Sequence, residues 1–217
     1  GALLTIPATE GYAGTAICKG NPDLDLQPVP DWAEYRGFVF ARLTREGPDL
    51  ATWLGPLADS FDNMIERAPG GDLELAGGCL RYLHHCNWKF FIENVCDALH
   101  PMVAHQASAR AAKVVGMDGL PPGTPVPFAL QMLMPFTGSY DFFDSWGMRV
   151  SPQGHGDLGG RQSLHSNYDE VPEYWAAMKT AYGEARAKAI LDLSRNNSVA
   201  WPSLMFKAPI QLLRVVR

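Results

Sequence analysis

The sequence predicts an α+β fold with an antiparallel sheet, and three observations carry that expectation. Two segments, residues 48–67 and 172–194, repeat apolar side chains at threes and fours, as amphipathic helices do. Between them recur short apolar runs bounded by Gly, Pro, Asn and Asp, the pattern of strands joined by tight turns. Hydrophobic residues make up 47% of the 217 residues and aromatics 11%, enough core for one large domain or two small ones.

The elements follow in order. Residues 1–7 begin without an initiator methionine on an extended stretch, and residues 210–217 form a strand with no turn or cap after it, so both ends read as interrupted strands of a longer protein. Residues 21–36, with Pro22, Pro28 and Pro30, read as an extended connection into a strand at 37–43. In 48–67, Leu50, Trp53, Leu54, Leu57, Phe61, Met64 and Ile65 form one stripe interrupted at Pro56; it reads as core, not as a cofactor box. Residues 73–86 predict a strand bulged at Gly77-Gly78. His84 and His85 lie side by side on it, point to opposite faces, and read as structural or surface histidines.

Residues 91–100 are expected to be helical. Residues 106–127, small and punctuated by Gly and Pro, read as a loop beside a substrate entrance. Strands are expected within 128–150 and over 161–168, with turns at 137–138 and 153–156. His155 sits in the second turn and reads as exposed; His165 reads as a core or pocket-edge histidine. Residues 172–194 predict one helix that opens on Pro172 and Glu173 and closes at Asn196-Asn197, followed by strands at 199–206 and 210–217.

Composition removes whole classes of function. A net charge of −5 without a basic stripe argues against nucleic acid. No run approaches the roughly 18 apolar residues of a membrane helix and no signal sequence opens the chain, so it reads as cytoplasmic. Cys18, Cys79, Cys86 and Cys96 form no Cys-x2-Cys pair and read as buried thiols, neither a disulfide frame nor a zinc site.

Chemistry concentrates in residues 87–105, which hold Asp97, His100 and His105 in a mostly apolar segment. Two neutral imidazoles suit Zn, Fe, Cu or Ni, and two histidines with one carboxylate on a face of iron leave positions open for oxygen and substrate. On a helix, Asp97 and His100 face the same way, so the carboxylate can hold the ring nitrogen that is not on the metal. His100 and His105 are five apart and converge only if the helix ends or bends between them, a break expected at Pro101. The plain alternative is two ordinary histidines on a partly buried helix.

The whole segment, Asn-Trp-Lys, then Glu-Asn, then Asp-x2-His-x4-His, resembles the iron-binding segment of the large (alpha) subunit of Rieske non-haem iron aromatic-ring-hydroxylating oxygenases. The resemblance implies a helix-grip (Bet v 1/START-like) catalytic domain in which His100 and His105 bind mononuclear Fe(2+). It further implies that Asp97 is the electron bridge from a [2Fe-2S] Rieske cluster on a neighbouring subunit and that Asn94 lies near the iron. The family often has three residues between this asparagine and aspartate, whereas here only Val95 and Cys96 intervene. Val95, Pro101, Met102 and Asn197 are the positional candidates for substrate binding.

With no Cys-x-His or Cys-x2-His pair in these residues, the cluster belongs to the full-length protein only. Residues 1–45 are then expected to be the tail of the Rieske domain and its connection, and residues 46–217 a catalytic domain cut short at its C-terminal end. Asp157, Asp169, Glu170, Glu173 and Asp192 are the downstream acids considered for the third ligand; the resemblance instead implies a carboxylate beyond residue 217. The implied partners are an aromatic substrate, dioxygen, and a ferredoxin or reductase. The implied assembly is a homotrimer or an alpha3beta3 complex with a small subunit. The reaction expected is cis-dihydroxylation. A Rieske-type monooxygenase or demethylase, a non-catalytic hydrophobic-ligand carrier on the same fold, and a zinc hydrolase stand as alternatives. Taken alone, this chain is expected to be catalytically silent.

Overall fold

The computed structural model describes residues 1–74, 80–97, 99–126, 146–160, 172–202, 204–207 and 212–216, with side chains defined at all of these except 80–82, 117, 160, 194–196, 206, 207 and 212–216. It divides into two compact units, Gly1–Thr52 and Trp53–Arg217. The expected strands within 128–140 and 161–168, the Gly77-Gly78 bulge, Cys79 and His165 lie outside the described residues.

In the first unit, β1 (Asp31–Tyr35) and β2 (Phe38–Arg42) form an antiparallel hairpin with Tyr35 opposite Phe38. Its two-residue loop, Arg36-Gly37, has φ of 51° and 89°, the doubly left-handed turn whose twist suits a hairpin. Residues 21–36 are therefore not one extended connection. Asn21 caps a short 3-10 turn at Pro22–Leu24, and the alternating burial of β1 makes it a paired strand.

The stripe over 48–67 folds as α1 (Leu50–Leu54), a 3-10 turn (Gly55–Leu57) and α2 (Ala58–Glu66). Pro56 sits in the 3-10 turn, where its missing N–H leaves no helical bond unmade. Leu54, Leu57, Phe61, Met64 and Ile65 are buried, as their spacing predicts.

A six-stranded sheet carries the remainder, with β3 (Leu80–Tyr82), β4 (Trp146–Val150), β5 (Gly156–Gly160), β6 (Ser194–Ala200), β7 (Leu204–Lys207) and β8 (Leu212–Val216) in the order β3-β8-β7-β6-β5-β4. Neighbours run antiparallel except β3 and β8, which are parallel. That pair departs from the wholly antiparallel sheet expected. Strands so far apart in sequence are bound by no hairpin, and either direction is open to them. The single strand expected at 199–206 is two, since the chain reverses at Trp201-Pro202.

The C-terminal helix is also two, α6 (Pro172–Tyr182) and α7 (Glu184–Asp192), divided at Gly183 with φ of 77°. A residue without a Cβ takes that conformation cheaply, and its N–H closes α6 on the carbonyl of Lys179. Met178, Ala187, Ile190 and Leu191 are buried together, with Tyr174, Trp175 and Tyr182 against them.

Asn196-Asn197 does not cap α7; both residues are in β6. Arg67, at the end of α2, does the capping instead. Its guanidinium donates to the carbonyls of Leu191 (3.3 Å) and Leu193 (2.6 Å), and Asn63 Nδ2 donates to Ile190 O at 2.9 Å. These are the carbonyls a helix end leaves without partners, and a cation there also suits the helix dipole.

Residues 106–127 begin as helix, contrary to the loop expected. α5 (Gln106–Lys113) is rich in alanine, the strongest helix former, and buries Ala109 and Ala112. It runs into a π-type turn at Val114–Asp118. Among the described residues no helix is long and apolar enough to cross a membrane.

His155 is buried, not exposed as its glycine-rich surroundings suggest. Its Nε2–H donates to Trp53 O (2.7 Å), Nδ1 accepts from the N–H of Trp201 (3.0 Å), and the ring meets Trp53 edge-on. This neutral tautomer joins α1 to the β6–β7 turn. Burial pushes its pKa below the ordinary value, although the Trp53 carbonyl pulls the other way. With the folded-state pKa depressed, the unfolded chain takes up a proton that the folded chain refuses, so stability falls as pH drops through about 6.5. Chemical denaturation followed by tryptophan fluorescence at pH 7.5 and pH 5.5 should show that loss; in His155→Gln, less stable throughout, this contribution to the pH dependence should vanish.

Candidate metal centre

α3 (Trp88–Cys96) starts where Asn87 caps it by accepting from Lys89 N at 3.0 Å. Phe91, Ile92 and Val95 pack with Val199 and Met205, seating the helix on the sheet. The helix expected over 91–100 stops early, because Asp97 is extended with φ of −90° and ψ of 122°. Cys96 is buried at this end against Gly156, where a Cβ would stand 2.7 Å from its Sγ. Burial, and then the nearby charge of Asp157, push its thiol up to about 11.

Asp97 turns back on the chain that follows. Its carboxylate accepts from Leu99 N (2.7 Å), His100 N (3.2 Å) and the ring Nδ1 of His100 (3.1 Å). Burial works against its charge, but these donors outweigh burial and hold the carboxyl below its usual range. α4 (His100–Ala104) begins there with Pro101 in its first turn, where a residue without N–H is favoured. Pro101 therefore opens a helix between the two histidines and does not break one. The departure from helical geometry falls at His105 itself, φ −107° and ψ 14°, which joins α4 to α5.

The outcome is convergence. The rings of His100 and His105 lie 5.4 Å apart between centroids at an interplanar angle of 67°. Asn94 Nδ2 reaches His100 Nε2 at 3.2 Å from the last turn of α3. With Nδ1–H given to Asp97, Nε2 of His100 is the acceptor, and its lone pair takes the N–H of Asn94; a metal bound at this nitrogen would have to displace that amide.

Donor chemistry decides whether these residues suit iron. Two imidazoles whose nitrogens each lie about 2.1 Å from one ion have centroids roughly 5 Å apart, and the separation of the observed rings matches that spacing. A third protein ligand is not brought to them among the described residues, which contain no group of three metal-binding side chains. Asp157 is buried on β5 rather than loose in a turn, and Arg149 grips both its oxygens at 3.1 and 2.9 Å. Glu173 and Asp192 are exposed on α6 and α7. Asp169 and Glu170 lie outside the described residues.

Of the other residues singled out, Val95 is buried in the α3 core, and Asn197 donates through Nδ2 to Val95 O at 3.0 Å. Pro101 and Met102 are half-buried on α4. His84 and His85 are exposed, the former with its ring 4.9 Å from Phe91. Cys18 and Cys86 are exposed, against the buried thiols expected; Cys96 alone of the described three is buried. Sequence reasoning did not foresee the cleft of about 350 Å³ at the N-terminal end of α3, where Trp88 and Trp201 meet edge-to-face. Neither did it mark Gly156, whose importance lies in what faces it.

Comparison with known proteins matches residues 73–214 to the family model described as ring hydroxylating alpha subunit (catalytic domain). The chain is 28% identical over 215 residues to the alpha subunit of toluate 1,2-dioxygenase from Pseudomonas putida, a match covering 90% of this chain and 41% of that one. It is 31% identical over 124 residues to the alpha subunit of biphenyl dioxygenase from Paraburkholderia xenovorans, covering 57% of this chain and 24% of that one. The solved structure of naphthalene 1,2-dioxygenase with indole bound in the active site aligns over 95% of this chain and 44% of that one, with a TM-score of 0.55 at 23% identity, so the fold is shared. The matched region thus spans well under half the length of these relatives.

The contact of Cys96 with Gly156 sets how closely the end of α3 approaches the sheet. Gly156→Ala should destabilise the protein by about 1–3 kcal/mol through overpacking, measured by denaturant unfolding, and Cys96→Ala in the same chain should recover most of that loss.

Proposed function

The chain belongs to the ring-hydroxylating alpha-subunit family, and from that premise we propose that it is the catalytic part of an oxygenase that uses dioxygen to hydroxylate an aromatic compound by cis-dihydroxylation at a mononuclear ferrous iron. The observation that carries this reading is the convergence of His100, His105, Asp97 and Asn94 at the broken end of α3. When bound, the iron supplies the activation of dioxygen, with electrons from a [2Fe-2S] Rieske cluster held elsewhere in the full-length protein.

The chain's own residues do the rest. His100 and His105 hold the metal, and a carboxylate beyond residue 217 completes the set. Asp97 keeps the proton on Nδ1 of His100, fixes the ring, and makes it a stronger donor. The same carboxylate lies on the route for electrons arriving from a neighbouring subunit. Asn94, whose amide donates to Nε2 of His100 in the metal-free site, would give up that bond when the iron binds and would lie next to it. Val95, Pro101, Met102 and Asn197 border the aromatic ring. Residues 1–45 are the tail of the Rieske domain, and residues 46–217 belong to the catalytic domain. A ferredoxin or reductase supplies the electrons, and the subunits assemble as a homotrimer or with a small subunit.

Two experiments on the intact protein test this. His100→Ala and His105→Ala should each lose mononuclear iron by elemental analysis while the [2Fe-2S] spectrum persists; full iron in both variants would overturn the ligand assignment. Asp97→Asn keeps the shape and removes the charge. Turnover of an aromatic substrate should fall by at least about tenfold with both metal centres still loaded.

A further inference from the structure

We propose that Asn197 is a positioning residue for the metal centre, acting through the carbonyl of Val95 to fix where α3 ends. The inference rests on the reading of His100 as a metal ligand and adds the part of the sheet that aims it.

Where a helix stops, its last carbonyls lose their donors. α3 stops at Cys96 because Asp97 is extended, so Val95 O is one of these. Asn197 Nδ2 supplies its donor at 3.0 Å across 102 positions of sequence. The bond joins the final turn of α3 to the middle of β6. Asn94 and Asp97, just before and just after Val95-Cys96, are the two side chains bonded to the His100 ring, Asp97 at Nδ1 and, in the metal-free site, Asn94 at Nε2. A shift of this turn against the sheet moves both.

The strand is irregular at the same place. β6 pairs with β5 through Leu158↔Asn197 and then Gly159↔Arg195, so Asn196 is an extra residue opposite the Leu158/Gly159 step. Such a bulge bends its strand and re-aims neighbouring side chains. Asn197 and Val199 then share the face that meets α3, since Val199 packs against Val95. Asn197 Oδ1 is buried and has no hydrogen-bond partner among the described residues. A leucine, with the same branched skeleton, would avoid that unsatisfied atom but could not hold the helix end, so the amide serves its N–H bond and not packing alone.

The test uses the intact protein and three variants: Asn197→Asp, which keeps the shape and removes the donor; Asn197→Leu, which keeps the branched skeleton without polar atoms; and Ser198→Ala, a buried neighbour on the opposite face of β6. Amide hydrogen exchange is read in metal-free protein at residues 94–96, the last turn of α3. Both Asn197 variants should exchange about fivefold faster there, with Ser198→Ala unchanged. In iron-loaded protein the nitric oxide adduct should show an altered electron paramagnetic resonance spectrum in the Asn197 variants and the parent spectrum in Ser198→Ala, with kcat lowered more than KM is raised. Parent-like exchange in both Asn197 variants, or equal acceleration in Ser198→Ala, would overturn the assignment. An iron-free parent with accelerated exchange in the Asn197 variants would leave the tether standing and sink the oxygenase reading instead.

Discussion

Asp97 accepts from two backbone amides and one imidazole within a single turn of chain, and the arrangement around the candidate metal site depends on that carboxylate staying ionised and in place. Ionised, it ends α3, starts α4 and fixes the tautomer of His100 together. A neutral side chain there would leave the first amides of α4 and the ring nitrogen competing for weaker acceptors. The carboxyl sits below its ordinary pKa because the donors that organise the turn also stabilise its charge. Which nitrogen of His100 is left as the acceptor is thus specified by a backbone turn, through one intervening ring.

The sheet supports this turn from β5, whose two faces have different tasks. Gly156 and Leu158 stand opposite Val199 and Asn197 in the ladder, and Gly156 meets the sulfur of Cys96 on α3. Asp157, between them, points to the other face, where Arg149 joins it to Asp59 on α2. The bonds to Asp59, then those to Asp157, hold the guanidinium charged against the cost of burial. A buried carboxylate such as Asp157 would be expensive without that partner, and removing the arginine would cost more than an exposed ion pair is worth.

What the sequence revealed follows from the range of the interactions involved. The stripe from Leu50 to Ile65, the β2 strand and the Asp97-His100 pairing are local, and spacing was enough to find them. The break in α3 was expected four residues too late, because Pro101 is a visible helix breaker while the acceptor that stops the helix is an ordinary aspartate. The division of α6 from α7 depended on one left-handed glycine inside a strong helical pattern, a signal that Gly183 carries only weakly in isolation. His155 was misjudged because its partners, Trp53 and Trp201, lie 102 and 46 residues away. The tether from Asn197 to Val95 was illegible for the same reason: no local pattern marks a polar strand residue that serves a distant helix end.

The distribution of charge between the faces of the sheet bears on the chemistry. Acids near α2 are drawn to Arg149, while the face toward α3 is built from Gly156, Leu158, Val199 and the uncharged amide of Asn197. Across from it stand Phe91, Ile92 and Val95. An apolar surround strengthens electrostatic interactions within it and tunes the basicity of nearby donors. Asp97 stands at the margin of this region, with 43% of its side chain exposed, close enough to fix His100 and open enough to remain charged without a buried cation. A carboxylate placed deeper would lose the solvent that now offsets its charge and would need further donors, as Asp157 draws on Arg149. The charged organiser thus stands at the mouth of the helix break and the uncharged one, Asn197, on the sheet beneath.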